Sequence, residues 1–228
     1  MSEYRLHYAP DNASLVIRLA LEELGLPYRT ALVDRAKRGQ RAAAYLALNP
    51  NGLIPVLETP EGPIFETAAI LLWLADRHGR LAPAPQDPER GNFLKWLFFL
   101  SNTLHPALRM IFYPHRYVGP DLAHQEALRA TQRKRISEYL ATLEANWAHM
   151  SAPSLLDLYL APMLRWIVLY PREADNSWLR LRSYPALHAM ALALERRPST
   201  AAAMLAEGLG PTPFTAPSAP NPPEGTAT

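Results

Sequence analysis

The chain has 228 residues, of which 49% are hydrophobic and 19% charged, and this is enough for one or two domains with a sizeable core. Its net charge of +2, from 23 Lys and Arg against 21 Asp and Glu, gives no reason to expect a nucleic-acid partner. The absence of cysteine excludes disulfides, thiolate metal sites and a cysteine nucleophile. We also expect no bound metal. From the short apolar runs and the polar N-terminal residues we expect no membrane span and no signal peptide.

The first part of the chain alternates between strand and helix patterns. Alternating side chains predict a strand over residues 4–8, and helical periodicity predicts a helix over 14–24 with Asp11, Asn12 or Ser14 as its N-cap. The same reasoning predicts a strand over 28–33, a short helix over 41–48, a hairpin of 56–58 with 63–65, and a helix over 66–78. The order β-α-β-α-β-β-α indicates a small α/β domain.

A proline-rich segment ends this pattern, and no strand signal follows it. The later periodic segments predict helices over residues 89–112, 124–150, 154–169, 184–196 and 198–206. The last 19 residues hold six prolines, and Phe214 is their only large apolar side chain, so we predict that they are disordered. The predicted segments are an α/β domain over 1–80, a linker over 81–88, an all-helical domain over 89–209 and a disordered tail over 210–228.

Three motifs carry a resemblance to a known family. Residues 49–57 read Asn-Pro-Asn-Gly-Leu-Ile-Pro-Val-Leu, residues 65–70 Phe-Glu-Thr-Ala-Ala-Ile, and residues 154–162 Ser-Leu-Leu-Asp-Leu-Tyr-Leu-Ala-Pro. In order and spacing they resemble the cytosolic glutathione transferases, especially bacterial beta-like members, without the cysteine of that class. The resemblance implies a thioredoxin-like domain followed by an all-α domain, a cytoplasmic homodimer, a role in detoxification, and glutathione as co-substrate. Ser154 and Asp157 match a helix capping box, a folding role.

The first two motifs would hold glutathione. Ile54-Pro55 is the best candidate for a cis peptide, and in the resembled fold the residue before that proline pairs its backbone with the cysteinyl part of glutathione. Glu66 and Thr67 stand where a strand ends and a helix begins, so helix amides would receive a carboxylate and Glu66 an ammonium group. The alternatives are an ordinary turn proline and an ordinary first-turn glutamate.

The group that activates the glutathione thiol is the least determined part of the site. Residues 8–15, Tyr-Ala-Pro-Asp-Asn-Ala-Ser-Leu, resemble the beta-class segment Tyr-Ser-Pro-Gly-Ala-Cys-Ser-Leu, whose cysteine falls on Ala13. No usual catalytic side chain of the family stands at its own place. Because a free thiol has a pKa of about 8.5, activation means favouring the thiolate. Ser14 as a hydroxyl donor, Asn12 as an amide donor, or the first amides of the helix could do so, and Ser14 could equally be a plain N-cap.

The helical region supplies the other candidates. His105 lies in a Leu-His segment that resembles the beta class, whose histidine approaches glutathione; it could donate to the thiolate and add charge if protonated, or be a structural histidine. Phe112, Tyr113 and Tyr117 would form an apolar wall for an electrophile, although aromatic residues at helical spacing also build cores.

Leu53 departs from the family pattern. Many relatives carry Lys or Gln at this position to hold the glycyl carboxylate of glutathione. Arg35, Lys37, Arg38 or Arg41 could substitute from the basic loop, and a solvated basic surface is the alternative.

Two functions of different classes remain. The first is an enzyme, a glutathione S-transferase that joins the glutathione thiolate to small hydrophobic electrophiles. The second is a protein of the same fold that binds glutathione, hydrophobic ligands or a protein partner without turnover. The intact motifs at Ile54 and Glu66 favour glutathione binding in both, and the replaced catalytic residue favours the second.

Overall fold

The computed structural model describes residues 4–147, 153–173 and 176–227. A four-stranded sheet forms the N-terminal part, in the spatial order β2-β1-β3-β4. Its strands are β1 (Tyr4–Tyr8), β2 (Tyr28–Leu32), β3 (Val56–Thr59) and β4 (Gly62–Phe65). β1 pairs with β2 in parallel, and β3 runs antiparallel to both β1 and β4. All four predicted strands are confirmed.

Three helices accompany the sheet: α1 (Ser14–Leu24), α2 (Ala43–Leu46) and α3 (Thr67–His78). α1 is buried along most of its length and ends at Gly25, whose φ of 68° is the left-handed conformation that glycine adopts without cost. The predicted N-cap is wrong, because Ala13 occupies that position. The predicted 41–48 helix is shorter, since residues Gly39–Arg41 form a 3-10 turn before α2.

The helical part begins with one long helix that changes its winding. α4 (Arg90–Phe99) passes through a π-helical segment, Leu100–Leu104, into α5 (His105–Phe112). Pro106 at the start of α5 has no N–H to donate, and π segments occur where regular helical bonding is interrupted. The single helix predicted over 89–112 is therefore continuous but not uniformly α-helical.

The remaining helices lie close to the predicted positions, except for the first of them, a short helix that was not predicted. They are α6 (His115–Val118), α7 (Leu122–Trp147), α8 (Leu155–Leu169), α9 (Pro185–Glu195) and α10 (Pro198–Glu207). The predicted end of α7 at Met150 lies outside the described residues. In the parts of the chain given above, no helix is both long and apolar enough to cross a bilayer.

α8 lies at the centre of the molecule and starts at the predicted capping box. Ser154 Oγ accepts from the N–H of Leu156, and Asp157 Oδ2 accepts from the N–H of Ser154 at 2.7 Å. Buried side chains of β1, α1, α3, α4, α5, α7 and α9 join those of α8 in one hydrophobic core. The two parts of the chain are thus fixed to each other by a shared apolar interior.

The prediction of disorder over 210–228 differs from the structure of residues 210–227. Phe214 is fully buried in the core, and the N–H groups of Phe214 and Thr215 both donate to Glu195 at 2.8 Å. Further along the segment, the hydroxyl of Tyr8 on β1 donates to the carboxylate of Glu224. The segment has little apolar area of its own, but it is ordered by one buried aromatic side chain and by hydrogen bonds to side chains far away in sequence. Composition does not reveal these hydrogen bonds.

Candidate active site

A cleft of about 750 Å³ opens between the sheet's loops and the helical part. Its floor and walls come from the segment before α1, the loop before β3, the start of α3, and helices α4, α5 and α8. The predicted site residues that line it are Asn12, Ile54, Glu66, Thr67, His105, Phe112 and Tyr113. Ser14 and Tyr117 are predicted site residues that do not line it.

The loop before β3 is held from behind by two side chains. The Ile54–Pro55 peptide is cis, as predicted. The Tyr45 hydroxyl donates to the carbonyl of Leu53 at 2.7 Å, and Asn49 Nδ2 donates to the same oxygen at 2.9 Å. Because these two hydrogen bonds hold the carbonyl of Leu53, and Leu53 and Ile54 line the cleft, the edge that would pair with a peptide ligand is fixed before any ligand arrives.

The start of α3 forms a second part of the cleft wall. Glu66 immediately precedes α3 and has a φ of 74°, which non-glycine residues rarely adopt. Its carbonyl accepts from Ile70 N–H at 3.0 Å, its side chain is exposed, and Thr67 is buried. An exposed carboxylate therefore borders the cleft beside the first turn of a 12-residue helix, whose first amides have no acceptor within the helix.

The two candidates for thiol activation have different environments. Asn12 lines the cleft, and its Oδ1 accepts from the N–H of Ala13 at 2.8 Å, which leaves Nδ2 as the donor end of the amide. Ser14 is fully buried; its hydroxyl donates to the carbonyl of Ala9 at 3.0 Å and accepts from the N–H of Ala9 at 3.3 Å. The expectation of a Ser14 hydroxyl inside the site does not agree with this geometry, because both functions of the hydroxyl are used in the turn before α1.

Asp11 is a residue of the cleft that the sequence analysis missed. Its φ of 50° is another left-handed conformation, and its carboxylate accepts from Arg165 Nε at 2.8 Å, Trp166 Nε1 at 2.9 Å and the Tyr170 hydroxyl at 2.7 Å. Trp166 and Tyr170 also line the cleft, so Asp11 fixes the aromatic side chains that shape it. The available signal was Arg165, the only basic residue in the largely apolar sequence of α8, since a buried charge needs a partner.

His105 pairs with a buried tyrosine. Its Nδ1 lies 2.9 Å from the hydroxyl of Tyr159, and both residues line the cleft. Burial, followed by the nearby charge of Arg109, lowers the pKa of His105 to about 4. The imidazole is therefore neutral near pH 7, and the predicted assistance from a protonated histidine does not arise.

The expected apolar wall is present but differs in membership. Phe112 and Tyr113 line the cleft, whereas Tyr117 on α6 has 44% of its surface exposed and lies outside. Other large apolar residues of the cleft include Leu72, Leu97, Phe98, Trp166 and Tyr170. A hydrophobic molecule would thus contact the helical part on several sides.

Two of the four basic residues in the loop after β2 line a cavity, and the other two do not. Arg35 and Arg41 line a small pocket beside Leu53, as expected of residues that could bind the glycyl carboxylate. Lys37 instead faces solvent and pairs with Asp34 at 3.2 Å, and Arg38 is exposed and lines neither cavity.

Comparison with known proteins places this geometry in a family. Residues 13–77 match the family model described as the N-terminal domain of glutathione S-transferase. The chain is 29% identical to the disulfide-bond oxidoreductase YfcG of Escherichia coli K12, over 90% of this chain and 96% of that protein. A solved sphingomonad glutathione S-transferase complexed with glutathione is 31% identical, with a TM-score of 0.74 over 90% of this chain and all (100%) of that chain. The glutathione S-transferase GST-4.5 of Xanthomonas campestris is 28% identical over 90% of this chain and 99% of that protein.

The chain belongs to the glutathione S-transferase family. Its fold is the thioredoxin-like domain with an all-α domain that the resemblance implied, and the prediction of a transferase of this family is confirmed by these matches.

Proposed function

We propose that the chain is a glutathione S-transferase that conjugates glutathione to small hydrophobic electrophiles in the cleft. The observation that carries the proposal is the arrangement in one cleft of the loop at Ile54, the start of α3 at Glu66 and Thr67, and an apolar wall from α5 and α8. The sphingomonad relative, solved with glutathione, supports the choice of ligand.

Each polar part of glutathione has a candidate partner of suitable charge. The cysteinyl backbone pairs with Ile54, and the γ-glutamyl carboxylate meets the amides at the start of α3, including that of Thr67. Glu66 binds the γ-glutamyl ammonium group. Arg35 and Arg41 take the place of a polar side chain at Leu53 and bind the glycyl carboxylate.

The thiolate is stabilised by neutral donors. Asn12 Nδ2 is a free donor because Oδ1 of the same amide is engaged, and His105 Nε2 is a donor in the tautomer whose Nδ1 accepts from the Tyr159 hydroxyl. Hydrogen bonds to the charged form lower the pKa of a thiol, and each unit of depression is worth about 1.4 kcal/mol. Ser14 contributes by holding the carbonyl and the N–H of Ala9, which positions the turn that carries Asn12.

The chemical step is a substitution at carbon. The thiol proton leaves to solvent, the sulfur electron pair forms a C–S bond with the electrophilic carbon, and a halide departs with its bonding pair. Phe112, Tyr113 and Trp166 hold the apolar body of the electrophile beside the sulfur, so proximity contributes in addition to thiol activation.

The test combines binding and turnover in matched variants. Calorimetry measures glutathione binding, and absorbance measures conjugation of 1-chloro-2,4-dinitrobenzene. Glu66→Gln should weaken glutathione binding by about tenfold or more, because a hydrogen bond to a charged group is worth roughly 1.5–3 kcal/mol. Glu61→Gln, an exposed change on the neighbouring hairpin, should leave binding unchanged.

The outcomes separate the candidate functions. Absence of glutathione binding by the native chain would overturn the proposal. Binding without conjugation would favour the second candidate, a non-catalytic binding protein, which the missing catalytic side chain supports. Reduction of a model disulfide by two glutathione molecules, giving glutathione disulfide and two thiols without conjugation, would indicate an exchange activity like that in the name of the relative YfcG.

We also propose a cytoplasmic homodimer with a role in detoxification, which the family resemblance supports. Light scattering coupled to size exclusion measures the assembly directly. A mass of about one chain at micromolar concentration would contradict the dimer.

A further inference from the structure

A small pocket of about 80 Å³ lies at one end of the cleft and is lined by an unusual number of arginines. Its cationic residues are Arg35, Arg41, Arg109 and Arg116, and its other polar side chains are Asn12, Gln40 and Tyr113. Six of its residues also line the cleft, so a molecule in the cleft can extend a group into the pocket.

The four guanidinium groups are not neutralised by ion pairs within the part of the chain that the structure describes. Among the residues that the structure describes, no carboxylate lies within 4.0 Å of any of them. Arg35 donates only to neutral oxygens, the carbonyl of Ala227 at 2.9 Å and the hydroxyl of Tyr113 at 3.2 Å. Like charges gathered around one cavity repel each other, and an anion that enters relieves the repulsion.

The four arginines come from two parts of the chain. Arg35 and Arg41 belong to the loop after β2, and Arg41 lies close to Gly52, next to Leu53 and Ile54. Arg109 on α5 and Arg116 on α6 lie against the ring of Tyr113, with guanidinium carbons 5.9 and 5.0 Å from its centre.

One carboxylate accounts for only part of this charge. The glycyl carboxylate of glutathione, bound beside Leu53, carries a single negative charge and meets the loop pair. Arg109 and Arg116 then have no counter-ion among the described residues, on the side where Phe112 and Tyr113 face the second substrate. A guanidinium group binds a planar carboxylate through two parallel hydrogen bonds and an opposite charge. Two free arginines therefore favour a ligand that carries a carboxylate over a ligand that carries a neutral polar group.

We propose that the electrophile itself bears a carboxylate, which Arg109 and Arg116 bind while its apolar body lies along α5. The inference rests on the proposed conjugation and narrows its substrate class from hydrophobic electrophiles to acidic ones. The pocket is too small for a whole substrate, so the anionic group enters it and the reacting carbon stays in the cleft beside the sulfur.

The test compares two substrates that differ in one charge, 4-chloro-3-nitrobenzoate and its methyl ester. For each, kcat/KM is divided by the rate constant of the uncatalysed reaction with glutathione, which corrects for intrinsic reactivity. The native chain should favour the carboxylate by about tenfold, chiefly through KM. Arg109→Gln and Arg116→Gln should each lower that ratio by about tenfold.

Arg135→Gln is the matched control, because it removes the same charge from an exposed site on α7. This control should leave the preference for the carboxylate over the ester unchanged. If Arg135→Gln lowered the preference as much as the pocket variants do, the preference would come from the overall positive charge of the protein, and the proposed role of the pocket would be wrong. Equal or better use of the ester by the native chain would overturn the inference while conjugation stands. Glutathione binding without turnover of either substrate would overturn both the inference and the proposed function.

Discussion

Two groups of arginines in this protein contrast in their partners. Arg165 is fully buried, and its donors reach Asp11 and three backbone carbonyls of the C-terminal segment, those of Leu209, Pro213 and Ser218, at 3.0–3.2 Å. The four arginines of the small pocket have neutral contacts and face a cavity. A guanidinium whose donors are satisfied inside the protein stabilises the fold, whereas unpaired guanidinium groups around a cavity indicate a ligand.

The buried group extends beyond Arg165. Arg18 on α1 donates to Glu207 Oε1 at 2.7 Å, and Glu207 Oε2 accepts from the N–H of Asp11 at 2.8 Å. α1, α8, α10 and the C-terminal segment are therefore connected through Asp11, which also borders the cleft. The shape of the site depends on contacts more than 150 positions away in sequence, since Asp11 to Arg165 spans 154 residues.

Removal of residues 211–228 should have the largest effect on the buried group. The truncation removes Phe214 from the core and two of the carbonyls bound by Arg165, so we expect the free energy of unfolding to fall by more than about 3–5 kcal/mol. Urea denaturation followed by circular dichroism measures the loss. Removal of 219–228 alone, which keeps Phe214 and Ser218, is the control and should cost much less. Equal small losses would show that the segment is not part of the core.

Arg165→Met should destabilise the protein by about 3–5 kcal/mol, because it leaves the Asp11 carboxylate buried without its cation. Arg109→Met, in the unpaired group, should change stability by less than about 1 kcal/mol. The same denaturation experiment measures both. Adding Asp11→Asn to Arg165→Met should recover part of the loss, and a pocket variant as unstable as Arg165→Met would contradict the division into two groups.

His105 predicts a smaller effect that depends on pH. Its pKa is about 4 in the folded protein and about 6.5 when unfolded, so between these values the unfolded chain binds a proton that the folded chain does not. The contribution of His105 to the free energy of unfolding is fully present above pH 6.5 and decreases as the pH falls toward 4. Between pH 7.5 and 5 the free energy of unfolding should therefore fall by roughly 1–2 kcal/mol.

Denaturation of the native chain and of His105→Gln at these two pH values tests the sign. The variant should lose less stability on acidification than the native chain, and His115→Gln, on the exposed side of α6, should behave like the native chain. A native chain that gains stability toward pH 5 relative to His105→Gln would contradict the lowered pKa.

The sequence predicted those features that depend on neighbouring residues. β1 and α1 have the predicted bounds, and Ser154 forms the expected capping box, because periodicity and caps are local. The orientation of Ser14 was not predictable, since a hydroxyl at the start of a helix can face a cleft or, as here, bond the preceding turn.

The features that sequence reasoning missed are made by residues far apart in the chain. Arg165 finds Asp11 only after α8 packs against α1, and the pocket gathers arginines from the loop after β2 and from α5 and α6. The ordered C-terminal segment has the same origin, because its backbone partners are supplied by Arg165 and Glu195 rather than by its own composition. Local patterns contain none of this information.

The central claim is that the cleft binds glutathione and favours its thiolate, and ultraviolet difference spectroscopy of the bound thiol against pH tests it most directly. We expect thiolate absorbance to appear at least about one pH unit below the free thiol, whose pKa is about 8.5. Asn12→Ala should move the titration back toward that value. Bound glutathione that titrates together with free glutathione would contradict the claim.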